Sequence, residues 1–119
     1  MLYFISPHQQ AAAFAGLLAV LMLMPGGAVP EVEGIDWADK LVHVALFLVL
    51  TVLLIRSFKA VARIRLPVIA AGAVALVYSV LLELLQGLIP GRFLDPGDLL
   101  ANGAGVLVAV LLQSAAKQG

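Results

Sequence analysis

The residues that could carry chemistry in this chain are few, and they fall in three separate stretches. His43 lies in an otherwise apolar run, Glu83 lies near the end of another, and Arg92 lies in the charged phrase PGRFLDPGD at 90–98. An imidazole beside a carboxylate can act as a general acid/base pair. The planar guanidinium of arginine suits a phosphate or a carboxylate. These residue types predict either an anion-binding site or an acid/base site, provided that the fold brings them together.

Composition decides which elements can position these residues. Apolar residues make up 63% of the chain and charged residues 12%, which leaves too few polar side chains to cover a water-soluble domain. About 20 helical residues cross the hydrocarbon of a bilayer, and four apolar runs approach that length. There is no cysteine, so disulfides, thiolate metal ligands and cysteine nucleophiles are excluded. The sequence also lacks a phosphate-binding Gly-rich loop, a metalloprotease motif, a nucleophile elbow and a basic nucleic-acid-binding stripe.

The sequence thus predicts an all-α integral membrane protein that forms one domain, 1–119, built as a bundle of four transmembrane helices. Pro25 should end the first helix, Asp36 should cap the second, and Pro67 fits the first turn of the third. Asp95 and Pro96 fit the N-cap and first position of the fourth. The predicted spans are residues 9–24, 37–55, 67–89 and 96–116.

Small residues indicate where these helices approach one another closely, because in lipid such faces associate by van der Waals contact. We expect them to serve packing rather than ligand binding. They are Ala12, Gly16 and Ala19 in the first span, Gly72, Ala75 and Ser79 in the third, and Gly103 and Gly105 in the fourth.

The distribution of charge orients the bundle. The linker between the second and third spans carries four cations and no acid, and Lys117 belongs to the same side. Short loops rich in lysine and arginine stay in the cytoplasm. We therefore expect both termini inside, with 25–39 and 89–97 facing outward. The four linker cations are Arg56, Lys59, Arg63 and Arg65, and the acids of the opposite half are Glu31, Glu33, Asp36, Asp39, Glu83, Asp95 and Asp98.

Counting residues from the outer ends of the spans places the polar side chains in one layer. His43 lies about 8 Å inside its span at 1.5 Å per residue. Glu83 and Gln86, at i and i+3, share one helix face, and Asp98 and Asn102, at i and i+4, share another. Ionisable residues in a membrane normally face the bundle interior, pair with one another and mark a functional site. We expect a polar pocket at the outer membrane face, capped by the charged phrase.

Three of the charged residues of this layer have a structural and a functional interpretation, and for each residue both stay open. Asp95 before Pro96 is explained by helix capping, or it contacts a ligand. Asp98 either stabilises the dipole of the helix N-terminus or belongs to the site with Asn102. Arg92 either pairs with a nearby acid or binds the ligand.

Metal binding is the weaker interpretation of the same layer. Ligation by His43, Glu83 and one aspartate is chemically feasible, but no spacing in the sequence supports it. The sequence therefore predicts no metal and no cofactor.

Two stretches of the chain resemble the VanZ-like family of small integral membrane proteins. They are DKLVHVALF at 39–47 and ELLQGLIPGRFLDPGDLLANGAG at 83–105. The shared pattern is D-K-x-x-H followed by E-x-x-Q-x-x-x-P-x-R-x-x-D-x-x-D-x-x-x-N-x-x-G. The resemblance implies that the residues of this pattern matter for function. We expect a ligand to be bound by Lys40, Gln86, Arg92, Asp95, Asp98 and Asn102, and His43 and Glu83 to be the catalytic pair if the protein is an enzyme.

The resemblance implies an envelope role more firmly than a reaction. The family's namesake is an accessory membrane protein associated with teicoplanin resistance, so we expect a multi-pass protein of the bacterial cytoplasmic membrane with its site facing outside. One hypothesis is a binding module for an anionic envelope lipid, a lipid-linked cell-wall intermediate or a glycopeptide. The other is a small intramembrane enzyme acting on such a headgroup. A transporter is a third, which would require dimerisation; the oligomeric state itself is left open.

Overall fold

The computed structural model of the chain describes residues 6–23, 36–89 and 96–118. These residues form four α-helices: α1 (Pro7–Leu23), α2 (Asp36–Lys59), α3 (Pro67–Gln86) and α4 (Pro96–Gln118). Three segments are long and apolar enough to cross a membrane, namely Lys40–Lys59, Pro67–Gln86 and Pro96–Ala115, and α1 is a shorter apolar helix. The prediction of an all-helical membrane protein with four helices is confirmed. Its orientation and its assignment as one domain stay predictions.

The first helix starts two residues before the predicted span because its N-terminus is capped. The backbone N–H of Ser6 donates to Gln9 Oε1 at 3.0 Å, and the backbone N–H of Gln9 donates to Ser6 Oγ at 3.1 Å. This reciprocal pair is a capping box, and Pro7 between the partners suits the first helical position. The local sequence Ser-Pro-His-Gln therefore marks the start of α1.

Two other helix ends differ from the predicted spans by three or more residues. α2 continues past residue 55 to Lys59, and its last turn carries Arg56 and Lys59, where cations interact favourably with the helix dipole. α3 ends at Gln86 rather than at residue 89. The N–H groups of Leu88 and Ile89 turn back to carbonyls only three residues away, which closes the helix with a tighter turn.

α2 and α3 form the middle of the bundle. Each contacts the other and both outer helices, whereas α1 and α4 do not touch within the described ranges. Side chains from all four helices fill the central core, and a second cluster closes the bundle beside the linker between α2 and α3. The central core contains Leu18, Met22, Phe47, Leu50, Ala75, Leu82 and Val106, and the second cluster contains Ile55, Val68 and Ala71.

The outer surface of the bundle is strongly apolar. Leu88 and Leu100 are 79% and 77% exposed, and large aliphatic side chains on α1, α3 and α4 also point outward. Exposing such a surface to water is unfavourable, whereas contact with the hydrocarbon of a bilayer is not. The exterior thus supports the membrane assignment that the helix lengths indicate.

A glycine sets the close contact between α2 and α4. A Cβ atom added at Gly105 on α4 would lie 2.3 Å from the carbonyl oxygen of Val44 and 3.0 Å from the backbone nitrogen of Leu48, both on α2. Only glycine permits this approach of two backbones. Gly72 also packs at an interface, where an added Cβ would lie 3.0 Å from Val110 Cγ2.

The expectation that Ala12 and Gly16 pack against another helix is wrong for this bundle. Both residues are exposed, and a Cβ added at Gly16 would meet nothing within 4 Å. α1 instead buries Ala11, Leu18 and Met22. Small residues occur on two faces of α1, so they do not show which face is buried. The large residues Leu18 and Met22 identify the buried face.

Candidate functional site

The tight contact at Gly105 brings one face of α2 against one face of α4. Val44, which lies against Gly105, directly follows His43 in the sequence. Asn102 lies on the same face of α4 as Gly105, one turn towards the N-terminus, and Asp98 lies a further turn along. The close crossing therefore places His43 opposite these two polar residues of α4.

His43 is held by a chain of hydrogen bonds that crosses three helices. Its Nδ1 lies 2.8 Å from Asn102 Oδ1, and Asn102 Nδ2 donates to Ser79 Oγ on α3 at 2.9 Å. The amide oxygen can only accept, so Nδ1 of His43 carries the proton and donates. In the neutral imidazole, the other nitrogen, Nε2, is then the one able to accept or to ligate. Asn102 and Ser79 are fully buried, so the orientation of the imidazole is fixed inside the bundle.

His43 lies beside two buried carboxylates. One ligand-type atom from each of His43, Glu83 and Asp98 lies within 4.8 Å of the other two, and the three residues are 8%, 2% and 7% exposed. His43 Nε2 lies 3.7 Å from Asp98 Oδ2, which is longer than a hydrogen bond. His43 and Glu83, which counting along the spans places in one layer, thus lie within direct or single-water reach of each other. The three groups thus surround a common point.

Lys40 joins this group from the first part of α2. Its Nζ donates to Asp98 Oδ1 at 2.5 Å, and its side chain is 35% exposed. The salt bridge leaves Asp98 Oδ2 as the carboxylate oxygen that faces His43. We call the six residues Lys40, His43, Ser79, Glu83, Asp98 and Asn102 the polar cluster. Its described ionisable members are two acids, one lysine and one histidine.

Gln86 is buried at the same end of the bundle but has a different partner. Its Nε2 donates to the backbone carbonyl of Met22 at 2.8 Å, near the end of α1, where helix carbonyls lack partners within the helix. The hydrogen bond therefore joins α1 to α3. Gln86 Oε1 is buried and has no hydrogen-bond partner within the described part of the chain. One amide N–H of Gln86, a predicted ligand-binding residue, is thus used to join two helices of the fold.

Two predicted site residues, Arg92 and Asp95, fall outside the described residues, as does the capping role considered for Asp95. Their ligand-binding roles stay predictions. The structure brings Lys40, His43, Glu83, Asp98 and Asn102 together, and whether these residues bind a ligand or act on one also stays a prediction.

The sequence reasoning missed two polar contacts outside the polar cluster. His8 Nδ1 lies 2.5 Å from Ser57 Oγ, which joins the start of α1 to the last turns of α2. The Tyr78 hydroxyl donates to the backbone carbonyl of Ala15 and joins α3 to α1. No local motif in the sequence indicates either pair. The capping box that fixes the start of α1 is the signal that would have placed His8 at a helix end.

The helices and the buried polar residues together define a class of protein. It is a multi-pass helical membrane protein with a buried cluster of histidine, glutamate and aspartate at one end of an apolar bundle. The VanZ/LLP1 family model matches residues 2–117, and the chain belongs to that family. No curated protein and no solved structure matches the chain. The predicted family resemblance is confirmed.

Proposed function

We propose that the polar cluster is the headgroup site for an anionic envelope lipid or a lipid-linked cell-wall intermediate. The observation that carries this proposal is the convergence of three buried ionisable side chains from α2, α3 and α4 around one point. Burying such groups in a membrane protein is costly, and they normally persist because they serve a function.

Access and charge support a headgroup as the ligand. Lys40 is the partly exposed member of the polar cluster, so it can meet an anion that approaches along the membrane surface. The N-terminus of α4 lies at the same end and favours negative charge. Arg92 shortly precedes α4 in the sequence, and we include it as a second cation of the site. The acyl chains of the ligand would lie against the apolar outer surface.

The site's position in the cell is part of the proposal. Arg56, Lys59, Arg63 and Arg65 lie at the opposite end of the bundle, and such basic segments stay in the cytoplasm. We infer that the polar cluster faces the outside of a bacterial cytoplasmic membrane and that both termini are inside. Because the chain has no cysteine, single cysteines at Ser6, Arg63 and Gly97 can be labelled without a background. An impermeant reagent added to intact cells should label position 97 alone. Labelling at position 63 would show that the protein has the opposite orientation.

Two lysines on α2 offer a matched test of headgroup binding. Lys40 belongs to the polar cluster and donates to Asp98, whereas Lys59, at the other end of the helix, donates to Gln113 Oε1 at 3.3 Å. The wild-type protein purified in a mild detergent should retain one anionic lipid class by mass spectrometry. Lys40→Met should lose most of it, and Lys59→Met should keep it. Equal retention by all three proteins would contradict the site, because the lipid would then be bound to the general surface.

The family's namesake extends the proposal to glycopeptide resistance. If the bound headgroup is a cell-wall intermediate or competes with a glycopeptide, expression in a susceptible bacterium should raise the teicoplanin concentration that inhibits growth. Lys40→Met should abolish that increase while Lys59→Met preserves it. An unchanged inhibitory concentration with the wild-type chain would remove the resistance role and leave headgroup binding to be judged by the lipid measurement.

One observation favours a second candidate function, an intramembrane enzyme that acts on the headgroup. The bond from His43 to Asn102 selects the tautomer in which Nε2 carries no proton, and a general base requires such a nitrogen. His43 and Glu83 would then share proton transfer. His43→Ala and Glu83→Gln should each abolish the cellular phenotype, and the double variant should be little worse, because members of one catalytic unit are not additive. A full phenotype in either single variant would exclude this role.

A further inference from the structure

We propose that His43, Glu83 and Asp98, which we call the triad, bind one divalent transition-metal ion of the zinc or manganese type. Each residue comes from a different helix, and each is buried. Together they offer one imidazole nitrogen and two carboxylate oxygens. Three protein ligands with a further position open is the arrangement of metal sites that bind a substrate or ligand. The ion would make the site a metal-dependent receptor for the headgroup.

The distances within the triad suit such an ion. Zinc binds imidazole nitrogen and carboxylate oxygen at about 2.0–2.2 Å, so two ligands of a tetrahedral site lie about 3.4 Å apart. His43 Nε2 and Asp98 Oδ2 are 3.7 Å apart, and all three ligand atoms lie within 4.8 Å of one another. The 3.7 Å between His43 Nε2 and Asp98 Oδ2 is longer than a hydrogen bond.

The neighbours of the triad supply the supporting contacts that metal ligands need. A ligating histidine usually donates its other N–H to a fixed acceptor, which sets its tautomer and orientation. His43 does so through Nδ1 to Asn102 Oδ1 at 2.8 Å, and Asn102 is fixed in turn by Ser79. Lys40 holds the other oxygen of Asp98 at 2.5 Å, which orients Oδ2 towards His43. Two of the three ligands are thus positioned by a second residue.

The charge of the polar cluster provides the reason for a metal. Glu83 and Asp98 bring two carboxylates to the centre of the polar cluster. Two neighbouring carboxylates favour a cation between them. A divalent ion there adds two positive charges, and its open position can bind a phosphate oxygen. The inference rests on the proposed headgroup function for the role of the ion, whereas the binding of the ion rests on the triad alone.

The donor set selects the class of metal. Calcium and magnesium prefer oxygen ligands alone, and copper(I) prefers sulfur. Imidazole nitrogen together with carboxylate oxygen suits zinc and manganese. No cysteine is present in the chain to compete for the ion.

The chain's two histidines allow a matched experiment. The tag-free protein, stripped with a chelator and dialysed into detergent, would be titrated by calorimetry with Zn²⁺ and, separately, with Mn²⁺. The wild-type protein and His8→Asn should bind one ion per chain with the same affinity. His43→Asn, Glu83→Gln and Asp98→Asn should each bind about tenfold or more weakly, since loss even of a supporting contact costs that much. Equal binding by the triad variants, or no binding by the wild type, would overturn the metal site.

A second measurement keeps the result interpretable if a variant folds poorly. An ion that binds only the folded protein raises its melting temperature. Zn²⁺ or Mn²⁺ should therefore raise the melting temperature of wild type and His8→Asn in detergent, but not that of Glu83→Gln. An equal rise in Glu83→Gln would show binding elsewhere on the chain and would overturn the proposal.

Chelation separates this inference from the proposed function. If the chelator removes both the ion and the co-purified lipid, the metal-dependent receptor is supported. If the ion binds at the triad but its removal leaves the lipid content unchanged, the ion does not bind the headgroup, while the metal site stands. If the lipid is retained and no ion binds, the metal site is overturned while headgroup binding stands.

Discussion

The two ends of the bundle carry similar polar side chains in different surroundings. At the end formed by the N-termini of α2 and α4, Lys40, His43 and Asn102 contact partners on other helices inside the bundle. At the opposite end, Lys59 contacts Gln113 in an exposed position, and His8 is exposed beside Ser57. Exposed polar groups can exchange their partners for water, whereas buried ones cannot. The same residue types should therefore matter for stability and ligand binding at the first end and little at the second.

The contact at Gly105 gives the largest effect, because it sets the separation of α2 and α4 at the polar cluster. Gly105→Ala would place a methyl group 2.3 Å from the backbone carbonyl of Val44, which cannot rotate away. Overpacking typically costs about 1–3 kcal/mol, and a clash with backbone belongs at the upper end or beyond. We expect a marked loss of thermal stability in detergent, together with loss of lipid retention because the cluster is pushed apart.

Gly103→Ala is the matched control for this prediction. The position lies on the same helix, and its added Cβ would lie 3.9 Å from Leu76 Cδ2, an ordinary contact. Replacing glycine by alanine in a helix interior stabilises by roughly 0.5–1 kcal/mol where space permits. The melting temperature of Gly103→Ala should thus equal or exceed that of the wild type. Similar destabilisation by both substitutions would show that the α2–α4 crossing does not depend on Gly105.

Asn102→Leu gives the next largest effect, because Asn102 joins His43 to Ser79. The substitution keeps a side chain of similar length but leaves a buried imidazole N–H and a buried hydroxyl without their partner. Such losses cost about 1–3 kcal/mol, and interhelical hydrogen bonds in membranes lie at the lower end of that range. Denaturation in detergent should show this loss, and metal or lipid retention should fall with it.

Thr51→Val is the control for Asn102→Leu. Thr51 is equally buried, but its hydroxyl donates to the carbonyl of Phe47 in its own helix, and that carbonyl retains its helical partner. We expect a change within about 1 kcal/mol and no change in retained ligand. A larger cost for Thr51→Val than for Asn102→Leu would mean that the cluster contributes no special interhelical stability.

The fold could be predicted from the sequence to the extent that its signals are local. Pro67 and Pro96 mark helix starts at the positions observed, and apolar length identifies the membrane spans. The start of α1 was also locally encoded by Ser6 and Gln9, although the predicted span began later. The end of α3 could not be predicted, because the apolar pattern continues through Leu88 and Ile89 while the backbone already turns.

The candidate site could be predicted only as a layer. Counting residues along the spans gives depth, which placed His43, Glu83 and Asn102 at the same level. Depth does not give the rotation of each helix, so the partners of Lys40 and Gln86 could not be assigned. Those partners depend on which faces meet, and the crossing at Gly105 decides this for α2 and α4. Gln86 shows the consequence, since it lies near the predicted level but is bound to Met22.

Ser57→Ala and Ser79→Ala form a matched pair that compares the two ends of the bundle directly. Of all these substitutions, Ser57→Ala should have the smallest effect. Both residues are buried serines whose hydroxyl contacts a side chain on another helix. Ser57 contacts the exposed His8, which can turn to water, so we expect a cost below about 1 kcal/mol. Ser79 accepts from the fully buried Asn102, whose N–H cannot reach water, so its loss should cost about 1–2 kcal/mol more. Ser79→Ala should also loosen His43 and weaken binding at the triad, which Ser57→Ala should leave unchanged. Equal costs for the two substitutions, or a larger one for Ser57→Ala, would show that burial of the partner does not distinguish the two ends of the bundle.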